Sequence, residues 1–103
     1  DYNASRVVLA LRSGQDARFE LMQNNPNPFN EVTSISFVLP EKADATITIS
    51  DVTGKTVKII NGHFQAGLNS VLIQKSDINA TGVLMYRIES GVHSQTKKMI
   101  VLE

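Results

Sequence analysis

The feature that most constrains the fold of this chain is a two-residue alternation of apolar and polar side chains, repeated in short runs. Residues 32–39 place Ile35, Phe37 and Leu39 on one face and Ser34, Ser36 and Val38 on the other. Residues 45–50 do the same with Ile47 and Ile49 against Thr46 and Thr48. A strand turns successive side chains to opposite faces, so this pattern marks half-buried strands. A helical period is nearly absent. Residues 7–11, 56–60, 68–74 (centred on Val71 and Ile73), 82–88 (Leu84, Tyr86 and Ile88 sharing a face) and 96–102 read as further strands. Pro40 ends one of them, because it has no N–H for a ladder.

The breaks between runs are turn chemistry. Asp51-Val52-Thr53-Gly54-Lys55 joins two strands, with Asp51 as a side-chain cap and Gly54 supplying a positive φ. Asn61-Gly62 and Ala66-Gly67 are expected to bracket another turn, and Glu89-Ser90-Gly91 a third. A polar connection over 75–81 is expected to hold one helical turn after Ser76, with Asp77 as a cap, and Gly82 opens the next strand. About seven strands at this spacing predict an all-β fold, an immunoglobulin-like sandwich of antiparallel strands with Greek-key connections. The last strand is expected to seal a sheet edge.

The chain has 103 residues, enough for one compact domain. Ten basic and ten acidic residues leave no net charge, which argues against nucleic acid and against capture by an anionic membrane. There is no cysteine, so thiolate zinc sites, thiol nucleophiles and disulfides are excluded. No apolar run has the roughly 18 residues that span a bilayer. The chain opens without Met or a basic-then-apolar leader, and reads as the C-terminal piece of a longer protein.

Little carries reactive chemistry. His63, expected in a turn, and His93, at a strand start, have no neighbouring ligand cluster. No serine lies in G-x-S-x-G, no pair of carboxylates sits among aromatics, and the glycines fall singly in turns. Two Asn-X-Ser/Thr triplets, at Asn3 and Asn79, are short enough to arise by chance. No catalytic group, cofactor or metal is therefore expected. Lys97 and Lys98 read first as a solvated strand end. In Asn25-Pro26-Asn27-Pro28-Phe29-Asn30 each proline pushes the residue before it toward an extended conformation and removes a donor. This stiff segment is expected to lead into the first strong strand, with Phe29 plugging the end of the sandwich. Asn30 and Thr33 would bond nearby backbone.

The ordered set Leu21, Gln23, Asn24, Pro26, Asn27, Pro28, Phe29, Asn30, Thr33, Ile35, Phe37, Leu39 and Pro40 resembles the start of the type A C-terminal sorting domain of the type IX secretion system of Bacteroidetes. The resemblance continues in register. It takes in Ile47, Ile49, Asp51, Gly54 and Val57, then Ala66, Gly67 and Val71. Gly82 follows with Tyr86-Arg87-Ile88, and Lys97, Lys98, Met99, Ile100, Val101 and Leu102 close it. Family members often carry an aromatic where Leu84 stands, a Trp near Ile73 and a terminal Lys in place of Glu103.

The resemblance implies a seven-stranded immunoglobulin-like domain over 19–103, with 1–18 as the tail of an upstream cargo domain plus linker. It implies a sorting signal rather than an enzyme. The cargo would cross the inner membrane to the periplasm, be recognised by the outer-membrane translocon, and reach the cell surface or medium. A sortase-like signal peptidase would cut just before the domain, at Gly14, Gln15, Asp16, Ala17 or Arg18, and could join the cargo to a lipopolysaccharide. Lys97, Lys98, Met99, Ile100, Val101 and Leu102 are the expected translocon contacts. A monomer with no membrane insertion is expected. Two rival readings are a fibronectin-like or carbohydrate-binding accessory module, which needs exposed aromatics on a flat face, and a structural spacer of a surface protein.

Overall fold

The structure of the protein, a computed structural model, describes residues 18–103. In chain order the elements are β1 (Glu20–Leu21), β2 (Val32–Leu39), β3 (Ala43–Asp51), β4 (Thr56–Phe64), β5 (Gly67–Gln74), α1 (Lys75–Ile78), β6 (Gly82–Ser90) and β7 (His93–Val101). They form two antiparallel sheets, ordered β1-β2-β5 and β4-β3-β6-β7. The chain changes sheet after β2, β4 and β5, so β3 lies beside β6 in a Greek-key arrangement. This is the expected immunoglobulin-like sandwich.

Alternation built the core. From β2 come Ile35, Phe37 and Leu39, from β3 Ala45, Ile47 and Ile49, from β6 Leu84, Tyr86 and Ile88, and from β7 Met99 and Val101, all buried. Each of these sets is spaced by two, so both sheets turn one continuous apolar face inward. Val38, on the opposite face of β2, is buried as well, between its register partners Glu20 of β1 and Leu68 of β5.

Several local expectations are corrected. Asn61-Gly62 is not a turn: β4 runs through it to Phe64, and the break comes at Gln65-Ala66. His63 is accordingly a strand residue, paired with Asp44. A Cβ at Gly62 would sit 3.0 Å from Cζ of Phe64, so the missing side chain lets the Phe64 ring lie back over the strand. That ring meets Phe37 edge-on, with centroids 4.9 Å apart. Tertiary packing thus overrides an Asn-Gly turn signal. The hairpin after β6 turns at Gly91-Val92, with Ser90 still paired to His93. Asp77 lies in the first turn of α1 and is not its cap: Gln74 holds that position and makes no side-chain cap bond.

The Asp51 turn is as expected. Asp51 Oδ1 accepts from Thr53 N (2.9 Å), Thr53 Oγ1 (2.6 Å) and Lys55 N (3.0 Å). The Thr53 hydroxyl, followed by the two backbone bonds, holds the carboxyl below the usual aspartate range. Gly54 adopts φ +92, a conformation that costs an L-residue about 1–2 kcal/mol. The 7–11 strand and the Asn3 triplet lie outside the described residues. β1, only two residues long, supplies a strand that no periodicity could mark.

Candidate recognition surface

β7 is one of the two outer strands of the larger sheet, and the two ends of the domain meet along it. The chain over 19–29 runs against its outer edge. Gln95 uses its side-chain amide as a substitute ladder: Oε1 accepts from Leu21 N (2.7 Å) and Nε2 donates to Phe19 O (3.0 Å). Further along, Gln23 Nε2 donates to Lys98 O (2.7 Å), and Ile100 N donates to Asn27 Oδ1 (2.9 Å). Phe29 then pairs directly with the strand as a parallel bridge. Phe29 N donates to Ile100 O (3.1 Å) and Leu102 N to Phe29 O (2.8 Å). The Phe19 ring stacks on His93 at 4.9 Å.

A second network anchors the same segment to the core. The hydroxyl of Tyr86, whose side chain is buried, donates to Met22 O (2.7 Å) and accepts from Asn24 N (2.8 Å). Burial pushes the phenol above its ordinary range, opposed by the Asn24 bond, so it stays a donor at neutral pH. Buried Asn24 donates to Thr33 Oγ1 (3.0 Å) and Pro26 O (3.2 Å), and Thr33 Oγ1 donates to Pro26 O (2.8 Å). Both Asn–Pro bonds are cis. Phe29 is buried at the end of the sandwich, as expected. Thr33 makes its expected backbone bond, whereas exposed Asn30 makes none among the described residues.

The six residues expected to contact the translocon fall into two groups. Met99 and Val101 are buried, and Lys97 is half-buried opposite Tyr86. Lys98, Ile100 and Leu102 are exposed. Lys98 faces Met85 across the ladder and Ile100 faces Val83. The two lysines therefore point to opposite faces of the sheet and form no common patch. What reaches solvent is a cation flanked by aliphatic groups. Pro26, Asn27 and Pro28 are exposed beside it. Gly67 and Gly82 begin β5 and β6, both with positive φ. Arg18 is exposed, with its Nε 3.2 Å from Glu20 Oε1; Gly14, Gln15, Asp16 and Ala17 lie outside the described residues.

Gln23, Asn24 and Gln95 are the positions that sequence reasoning assigned no part in this junction. Gln23 and Asn24 stood in the sequence only as part of the motif, and their bonds to Lys98 and Tyr86, like those of Gln95 to Phe19 and Leu21, span 62 to 76 residues, which no periodicity reveals. Among the described residues, no group of His, Asp and Glu is arranged to hold a metal ion. His63 pairs with Asp44 at the surface. One open surface cleft is lined by Asn30, Glu31, Gln74, Lys75, Ser76 and Asn79. No helix among the described residues is long and apolar enough to cross a membrane. Phe29, Phe37 and Tyr86 are buried, and Phe19 and Phe64 half-buried, so the described residues offer no aromatic platform for a sugar.

No curated protein and no solved structure matches the chain. A family described as "secretion system C-terminal sorting domain" matches residues 25–102, from the proline segment to the end of the closing strand. The chain belongs to that family, and it is a C-terminal sorting signal of type IX secretion that directs an attached protein to the cell surface or medium.

Proposed function

We propose that the type IX translocon reads this domain as a folded shape, through the outward face of β7. The observation that carries the reading is the split within the closing motif. Met99 and Val101 are spent on the core, which leaves Lys98, Ile100 and Leu102 as the part a partner can touch. A central aliphatic contact with one charge at its rim is ordinary interface chemistry. Direct sheet extension at β7 is disfavoured, since residues 23–29 already bond to Lys98, Ile100 and Leu102. The partner therefore docks on side chains.

A Bacteroidetes host exports the cargo to the periplasm, and the translocon engages the folded domain. A sortase-like peptidase then cuts among Gly14, Gln15, Asp16, Ala17 and Arg18. The domain itself is a non-catalytic, removable label on the cargo that precedes it.

The test is a secreted fluorescent cargo fused to the chain in a type IX-competent host. The pair Lys98→Glu and Ile100→Ser should lower export by about tenfold, the effect of ~1.4 kcal/mol at the recognition step. Purified domain should keep its cooperative unfolding, because both side chains are exposed. Undiminished export by the double variant would remove β7 from the recognition surface.

A further inference from the structure

Among the described residues the sandwich has four sheet edges, and three are blunted against pairing with another chain. β1 is two residues long. The β7 edge is occupied by the lead-in segment. β4 carries Lys58 and His63 and a register shift opposite Ile49/Ser50. Charges and bulges are common protections of an edge strand. β5 has none of them. Its eight residues, Gly-Leu-Asn-Ser-Val-Leu-Ile-Gln, include no charge and no proline, and they pair with β2 without a bulge.

The direction of its free hydrogen-bonding groups follows from the neighbouring strand. Ser34 N and O bond to Asn25, and Ser36 O accepts from Met22 N, so the even-numbered residues of β2 face β1. The odd ones, Thr33, Ile35 and Phe37, face β5, where their partners are Ile73, Val71 and Asn69. The N–H and C=O groups of Leu68, Ser70, Leu72 and Gln74 must then point away from β2, to an edge that no described strand pairs. The side chains of these four residues share the outer face of the sheet and are exposed, Leu68 at 66% and Leu72 at 72%.

We propose that β5 pairs with β5 of a second copy of this chain, antiparallel about a twofold axis at Ser70. An antiparallel ladder must join even residues to even residues here. The register centred on Ser70 does so, and it sets Leu68 opposite the partner's Leu72 at both ends. It makes one continuous sheet from the two three-stranded ones. The uncharged strand brings no like charges together, whereas any β4 self-pairing has Lys58 and His63 to accommodate. The contact is a single strand pair, below the ~1,200 Å² of a standard interface, so the dimer is weak and concentration-dependent.

Sedimentation velocity of the 103-residue chain across a concentration series tests it. A monomer–dimer equilibrium is expected, with a dissociation constant in the range of ~10 μM to 1 mM. Ser70→Lys and Ser70→Glu each place like charges at the axis and should each abolish the dimer, with circular dichroism unchanged. Mixing the two variants should restore it, which an unfolded variant could not do. Leu72→Ser should weaken the dimer at least about tenfold by losing both leucine pairs. A chain that stays monomeric to about 1 mM overturns the proposal and leaves the edge to a different occupant. So does a dimer indifferent to the charge at position 70.

Discussion

Removing residues 98–103 should unfold the domain, and not merely blunt its recognition. Met99 and Val101 are at most 1% exposed and reach the centre of the core. Deleting one such side chain costs about 2–5 kcal/mol. The cut also strips Gly82, Val83, Leu84 and Met85 of their ladder partners and frees both backbone bonds of Phe29. The total exceeds ~5 kcal/mol, comparable with the whole stability of a small domain. Urea titration followed by far-ultraviolet circular dichroism should show no cooperative transition in the truncated chain. A folded truncated domain would mean that β7 is dispensable to the sandwich.

The second large effect is expected from one oxygen atom. Tyr86→Phe keeps the ring and removes the hydroxyl that bridges Met22 O and Asn24 N. Among the described residues no other group bonds Met22 O or Asn24 N, and a buried unpaired polar group costs about 1–3 kcal/mol. We expect a loss of ~2–4 kcal/mol, read as a lower urea midpoint at unchanged slope. The loss should be concentrated where Tyr86 acts, so amide exchange should quicken first over residues 22–30, before β3 and β6. A stability change under about 0.5 kcal/mol would mean that water replaces the hydroxyl without cost.

Strands with one buried face wrote themselves into the sequence: Ile35-Phe37-Leu39 and Leu84-Tyr86-Ile88 are legible because burial follows the pleat. The Asp51–Gly54 turn is legible because its chemistry is local. Asn61-Gly62 misled because a turn signal was overruled by Phe64 folding back on Phe37, a contact between residues in different sheets. β1 and the junction on β7 are invisible to periodicity for the same reason. Gln95 bonds to Phe19 and Leu21 as though it were backbone, which no spacing rule anticipates. The proposed recognition face was half legible. The run from Lys97 to Leu102 marks the strand, but only the register tells which of its residues the core consumes.

In the proposed mechanism the signal exists only once both ends of the domain have met. The most direct measurement is export of one fluorescent cargo from a type IX-competent host, carrying either residues 18–103 or only residues 93–103 at its C-terminus. The whole domain should deliver the cargo to the medium or cell surface, and the isolated strand should leave it inside the cell. Equal export by the eleven-residue tail would contradict the account, since a strand without its sandwich has neither the face of β7 nor the junction that holds it.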